Sequence, residues 1–317
     1  MSTSDRNSFG EQTTGEEVLA GIDLTGKTAF VTGTAGGLGG ETARALAAHG
    51  ASVTLGVRKM EQGQEVADMI RATVPGAQLD VAELDLSIPE SVRQCADKWL
   101  EDHEQLHLLI NNAGVMACPL TRTSEGWEMQ FAANHLGHFV LTSHLHPALI
   151  AGGPGRVVNL SSGAHRLGNI DFDDIHFENR EYNKFEAYGQ SKTSNILFTR
   201  ELDRRLQGKG VRSFAVHPGV IMTKLGRHMT EEDIQQLTTG RALTMKSPEA
   251  GAATTLYAAT APELEGQGGL YLEDCQIAPL AESEDAAAGY NAYAYDMKAA
   301  ARLWEVSEVL VGEKFEI

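Results

Sequence analysis

The 317-residue chain has little cysteine, no long apolar run and a shortage of basic residues, and each scarcity removes a class of function. Its three cysteines, Cys95, Cys118 and Cys275, are odd in number and widely spaced. They form neither a disulfide framework nor a C-x-x-C site, so three buried thiols in a reducing, cytoplasmic setting are the simplest expectation. No stretch of about 18 uncharged apolar residues exists, so no spanning helix is expected. The polar opening from Met1 to Asn7 leads into no apolar segment, and no secretory leader is expected. Only 26 lysines and arginines face 43 acids, a net charge of −17. Nucleic acid and anionic membranes both demand a basic footprint, and this balance argues against them. There is no internal repeat and no low-complexity tract. What is present is an ordinary globular composition, 42% hydrophobic and 22% charged, sufficient for a sizeable core.

Taken in order, residues 1–23 read as a polar tail, loosely packed to about residue 14, with a short helix over 16–22. Residues 24–317 read as one domain. Short apolar runs suited to buried strands lie at 27–32, 52–57, 78–85, 106–110, 156–160, 211–217 and 269–272. Helical stretches separate them, at 41–48, 61–73, from Pro89, at 127–150, from 186, from Glu249 and at 293–310. About seven strands alternating with helices predict an α/β, doubly wound, Rossmann-type parallel sheet with right-handed crossovers. Segment 163–187, with six acids among several aromatics, reads as a surface insertion. The loop 220–245 and the tail 276–317 are expected to shape a pocket.

The run beginning at Glu186 holds Tyr188 and Lys192, four apart and therefore on one helical face. A tyrosine loses its proton near pH 10, and a nearby cation lowers that value. A drop of about two to three units would need roughly 3–4 kcal/mol, feasible for a lysine together with a cofactor's positive charge. A surface tyrosine and lysine on a solvated helix is the alternative. None of the other six tyrosines has a lysine four residues on.

The first strand ends in Gly33, Gly37 and Gly39 ahead of a strong helix, a phosphate-binding βα unit in which glycines admit a pyrophosphate to the helix N-terminus. The spacing is not the usual G-x-G-x-x-G, and a glycine-rich turn without ligand is the alternative. The second strand runs into Arg58 and Lys59, where basic residues suit a ribose 2′-phosphate and an acid would suit a free hydroxyl. The pair favours NADP over NAD. The fourth strand runs into Asn111, Asn112, Ala113 and Gly114, small residues and amides at a ligand-binding strand end. Stretch 127–150 holds His135, His138, His144 and His146, which invites a metal reading. No acid or cysteine joins them at ligand spacing, so they are read as core and surface histidines and no metal is expected.

Thr32-Gly33-x-x-x-Gly37-Leu38-Gly39, Asp85-Leu86, Asn111-Asn112-Ala113-Gly114, Asn134, Ser162, Tyr188-x-x-x-Lys192 and Pro218-Gly219 occur in that order over residues 24–312. The chain thereby resembles the short-chain dehydrogenase/reductase family. Leu55-Gly56-Val57-Arg58, the stretch from Asn134 to Phe139, the stretch from Val158 to His165 and that from Arg302 to Ser307 resemble its retinol dehydrogenase branch. The resemblance implies an NAD(P)-dependent oxidoreductase in which Tyr188 is the general acid/base, Lys192 lowers its pKa and holds the nicotinamide ribose, and Ser162 bonds the substrate oxygen, with Ser161 as understudy. Asn134 would anchor a water linking Lys192 to solvent. Gly33, Gly37, Leu38, Gly39, Arg58, Lys59, Asp85, Leu86, Asn112, Ala113, Gly114, Pro218, Val220 and Thr223 would contact the cofactor beside Tyr188 and Lys192. The substrate would be a small apolar alcohol, aldehyde or ketone, and homo-oligomerisation would use the helices at 130–150 and 188–207. Gly36 stands where many NADP-preferring members place a base, and Ser162 and Tyr188 lie further apart than is usual, across a segment resembling the branch's own insertion. Several relatives of that branch carry an N-terminal membrane anchor that this chain lacks, so a soluble enzyme is expected. The contrasting reading is a catalytically silent dinucleotide-binding redox sensor or scaffold.

Overall fold

The computed structural model describes residues 9–238, 244–283, 286 and 288–317. Its main sheet is assembled from β1 (Thr28–Thr32), β2 (Ser52–Val57), β3 (Leu79–Glu83), β4 (Leu108–Asn111), β5 (Gly155–Leu160), β6 (Val211–His217), β9 (Leu270–Glu273) and β10 (Gln276–Ile277). The strand order is β3-β2-β1-β4-β5-β6-β9-β10. Seven of these strands are parallel, as the apolar runs predict. The eighth, β10, is an antiparallel addition on the edge of β9, so the sheet has eight strands rather than seven. Two residues carry too little pattern to be read from sequence. A separate two-stranded pair joins β7 (Val220–Ile221) to β8 (Met245–Lys246).

The helices are α1 (Gly15–Leu19), α2 (Gly37–Ala48), α3 (Met60–Thr73), α4 (Pro89–Asp102), α5 (Gly137–Gly152), α6 (Lys184–Leu206), α7 (Glu231–Thr238), α8 (Pro248–Thr260) and α9 (Met297–Val311). They cover both faces of the sheet. One core gathers residues of α1, α2, α3 and α8. The other gathers α4, α5, α6 and α9. The chain reverses direction across the sheet between β1 and β4, the place where doubly wound sheets bind ligands.

Three local departures bear on function. The helix expected over 127–150 is not continuous. A short turn at Met129–Phe131 passes into a π-helical turn, Ala132–Leu136, before α5 begins. π-Turns concentrate at functional sites. The buried Glu128 carboxylate starts this stretch by accepting the N–H groups of Gln130 (3.0 Å) and Phe131 (2.7 Å). Segment 163–187 is not a surface insertion throughout, because Ile170, Ile175 and Phe177 are buried. Finally, residues 9–14 are pinned rather than loose. Phe9 packs edge-on to Tyr257, its carbonyl accepts from Gln276, and Thr14 caps α1 with a capping box.

Helix α6 begins two residues earlier than expected, where the Asn183 side chain accepts from Phe185 N and Glu186 N. Nearly its whole surface is buried, with α9 packed along it. Trp304 of α9 stacks on Phe315 and meets Phe139 of α5 edge-on. Helix α9 thus packs along α6, one of the two helices that the resemblance assigns to oligomerisation.

Candidate active site

The turn leaving β1 is shaped by backbone proximity. Gly33 has φ +73° and lies so close to Ala113 that a Cβ would sit 2.7 Å from the Ala113 Cα. At Gly39, on the first turn of α2, a Cβ would come within 2.4 Å of Asn112 Nδ2 and 2.5 Å of the Gly33 carbonyl. Asn112 clamps the contact, its Nδ2 donating to Thr32 O at 2.7 Å. The N–H groups of Asn112 and Ala113 both donate to Thr32 Oγ1 at 2.9 Å. Gly37 faces Thr223, and Leu38 faces Gly251 on α8. The structure thus brings the glycine turn, the end of β4 and the 220s loop into one contact.

Arg58 and Lys59 follow β2 immediately and are exposed, and their side chains engage no partner among the described residues. Asp85 is committed locally, its Oδ1 accepting from Ser87 N (2.9 Å) and Ser87 Oγ (2.6 Å). Leu86 is buried, with its carbonyl against Gly137. Pro218 and Val220 lead into β7, and Thr223 caps the following short helix by accepting from Leu225 N. A dinucleotide fits these residues. The space around Gly36 at the α2 N-terminus is open, Thr34 Oγ1 is buried without a partner, and two uncommitted cations flank the end of β2.

Beyond β4 and β5 lie the polar residues of the second half. Lys192 Nζ donates to Leu160 O at 2.9 Å and stands 5.5 Å from the Tyr188 ring centroid. The Tyr188 phenol faces the Ser162 side chain, which opposes the rise of its pKa. Gly114 lies against the same group, since a Cβ there would be 3.6 Å from Lys192 Nζ and 3.2 Å from Asn134 Oδ1. Asn134 sits in the π-turn, accepting from Val115 N (2.8 Å) and donating to Val115 O (3.0 Å) and Ser191 Oγ (2.9 Å). Ser161 is buried and donates to Lys192 O. That commitment leaves Ser162, not its understudy, facing the tyrosine.

Sequence reasoning missed how Ser162 reaches Tyr188. Gly189 permits it, because a Cβ there would lie 2.6 Å from Gly168 N and 2.8 Å from Ala164 O. Helix α6 and the 3₁₀ turn Gly163–Leu167 can therefore touch backbone to backbone. Gly189 directly after Tyr188 was the available signal. His165 was missed as well. It is buried, its Nδ1 lies 2.8 Å from Ser162 O, and its Nε2 is 3.2 Å from Asn291 N. A carbonyl only accepts and an amide N–H only donates, so Nδ1 carries the proton and Nε2 accepts. Tyr293 Oη donates to the His165 carbonyl.

Burial decides the electrostatics. The Tyr188 phenol is pushed up to about 12 by desolvation, against a smaller lowering by the Ser162 hydrogen bond. Lys192 is pulled down to about 7 by desolvation. Burial in the protein matrix thus disfavours both charged forms. His138 and His165 are each lowered to about 4, chiefly by burial. The four histidines of 135–146 serve separate partners. His135 meets Ser307, His138 meets Thr32 and Asn134, His144 faces Asp97 and Glu313, and His146 meets Ser143. Among the described residues no cluster of three metal-ligating side chains occurs, and no helix is long and apolar enough to cross a membrane.

The model of the short chain dehydrogenase family matches residues 27–234. Retinol dehydrogenase 13 of Homo sapiens is 44% identical over 91% of this chain and 86% of its own. Retinol dehydrogenase 12 of Mus musculus is 42% identical over 93% and 89%. Among solved structures, an uncharacterised protein from Mycobacterium paratuberculosis superposes with a TM-score of 0.73 at 35% identity, covering 93% of this chain and 97% of that one.

Proposed function

The chain belongs to the short-chain dehydrogenase family of NAD(P)-dependent oxidoreductases, and from that premise we propose that it interconverts an apolar alcohol and its aldehyde or ketone, preferring NADP(H). The observation that carries the reading is the meeting of Ser162, Tyr188 and Lys192 beside Gly114, at the carboxyl ends of β4 and β5. A pure binder has no physical need of that trio. The uncommitted Arg58 and Lys59 support the NADP preference, since a ribose 2′-phosphate demands cations there. Exposed apolar side chains on flanking segments, Leu167, Met222, Ile234 and Met245, support an apolar substrate, as do relatives named for retinol. A reducing, cytoplasmic setting accompanies this reading and suits three free, buried cysteines.

A bound nicotinamide dinucleotide would supply or take up the hydride, and this chain's residues manage the proton. In reduction the neutral Tyr188 phenol gives its proton to the oxygen that was the carbonyl, and in oxidation the same oxygen returns it. A phenol held near 12 carries the proton that reduction requires, whereas oxidation would require that proton to be lost first, which a cofactor's positive charge and protonated Lys192 would favour. Ser162 Oγ–H donates to the substrate oxygen as negative charge gathers on it. Protonated Lys192 would stabilise the phenolate left behind, and its depressed pKa lets it pass a proton back near neutrality.

The test is absorbance at the nicotinamide band, with a panel of apolar secondary and retinol-like primary alcohols, each run with NADP and with NAD. Turnover favouring NADP and falling about a thousandfold in Tyr188→Phe, with dinucleotide binding intact, is expected. Binding without turnover in either direction would favour a silent sensor. Turnover that survives the substitution would remove Tyr188 from the acid/base role.

A further inference from the structure

The π-turn that carries Asn134 is tied to the glycine turn through one buried histidine. His138 lies four residues beyond Asn134 and is 2% exposed. Its Nδ1 is 3.0 Å from the Asn134 carbonyl oxygen, and its Nε2 is 2.9 Å from Thr32 Oγ1. The carbonyl can only accept, so Nδ1 carries the proton. Burial keeps the ring neutral, leaving Nε2 a lone pair. Thr32 Oγ–H therefore donates to Nε2, and its competing acceptor, Ile110 O, is further away at 3.4 Å. With its proton committed, the hydroxyl oxygen accepts from Asn112 N and Ala113 N at 2.9 Å each.

The bonds form a chain with one direction throughout. It runs from the N–H groups at the end of β4, through the last residue of β1 and the imidazole, to the Asn134 carbonyl. The Asn134 side chain donates to Val115 O and Ser191 Oγ and accepts from Val115 N, while the imidazole reaches this residue through its main-chain carbonyl. The Asn134 carbonyl of the π-turn thus meets the imidazole one turn further along the same helical run. Replacing the imidazole by an apolar group would leave the Thr32 proton only the longer contact with Ile110 O and would remove the bond to the Asn134 carbonyl.

We infer that His138 is a positioning residue, locked as the Nδ1–H tautomer, that fixes the Asn134 carbonyl and couples the π-turn to the strand end from which the glycine turn departs. Its effect on turnover rests on the function proposed above, whereas its tautomer does not.

Two measurements on the full-length protein test this. The first is long-range proton–nitrogen correlation on histidine-labelled wild type, with His138 assigned by its loss in H138Q. An unprotonated Nε2 and a protonated Nδ1 are expected, and the opposite tautomer or an imidazolium at neutral pH would overturn the assignment. The second compares His138→Asn with His138→Gln. The asparagine amide nitrogen reaches the place of Nδ1, while the glutamine side chain reaches only that of Nε2. H138N should keep kcat within about threefold, and H138Q should lose about tenfold or more in kcat with the dinucleotide KM little changed. Equal losses in two cooperatively melting variants, or an unaffected H138Q, would refute the positioning role. A wild type that turns over no alcohol would sink the oxidoreductase reading while the tautomer still stands or falls by the nuclear resonance result.

Discussion

The turn after β1 and the segment after β5 both press backbone against backbone, yet they hold that contact by different means. On the cofactor side, Gly33 meets Ala113 because β1 and β4 are hydrogen-bonded neighbours, with Ala29 opposite Leu108 and Val31 opposite Ile110. The sheet register places the contact, and Asn112 and Thr32 fasten it within a few ångströms. On the substrate side, Gly189 meets Gly168 and Ala164 although no strand pairing links them. That contact is held by Thr193 of α6, which donates to His165 O and Gly168 O, and by the remote Asn291 N–H and Tyr293 hydroxyl, which donate to His165. The first arrangement is a by-product of the sheet. The second is an assembly of separate pieces.

The comparison is broken most forcefully by adding a methyl group on each side. Gly39→Ala should cost on the order of 3 kcal/mol in urea unfolding and abolish tight dinucleotide binding, because the new Cβ meets the Gly33 carbonyl. Gly189→Ala should instead lower kcat well beyond its effect on dinucleotide affinity, by prising Ser162 from Tyr188. A Gly39→Ala protein that melts and binds like wild type would show that the strand register tolerates more than the geometry allows.

Acid probes both halves at once, since each contains a neutral buried histidine. His138 and His165 are lowered from 6.5 to about 4, so as pH falls the unfolded chain takes up the proton first. Their contribution is complete above about pH 6.5 and is lost toward pH 4, on the order of 2 kcal/mol each by pH 5. Glu128 and Glu273, raised by burial, act in the opposite direction, so the informative quantity is a difference. Melting temperatures between pH 7 and pH 5 should fall less steeply in His165→Gln than in wild type. Identical slopes would mean that His165 is already protonated in the folded protein.

Smaller effects sharpen the contrast. Arg58→Ala with Lys59→Ala should reduce the NADP-over-NAD preference about tenfold, or ~1.4 kcal/mol, without moving the alcohol KM. Steady-state kinetics with both dinucleotides would show whether the exposed cations act alone. On the other side, Lys184 on α6 pairs with Asp233 on α7 at 2.5 Å, tying the 220s loop to the helix of Tyr188. Asp233→Asn should change the alcohol KM a few-fold and leave dinucleotide binding and melting unaltered. A shift in dinucleotide affinity would mean that the two halves are not as separate as their construction implies.

The fold and half of the site were legible because their signals are local. Apolar runs with glycine ends announce parallel strands, and the four-residue spacing of Tyr188 and Lys192 needs only helical periodicity. The long helix expected over 127–150 was interrupted because a buried Glu128 cap and a π-turn leave no compositional trace. Segment 163–187 was misjudged for a related reason. Its six acids suggested solvent, while its buried Ile170, Ile175 and Phe177 recur with no single period.

The sequence by itself determined the order of strands and helices, the glycine turn, and the pairing of a tyrosine with a lysine on one helical face. Those properties follow from residues close together along the chain. Only the tertiary structure decided the charges and the partnerships. It buried Tyr188 and Lys192, committed Ser161 to the Lys192 carbonyl, and gave His138 and His165 their distant partners Thr32 and Asn291. Desolvation and hydrogen-bond direction depend on what packs against a group from every side, and most of those neighbours lie tens to hundreds of residues away in sequence.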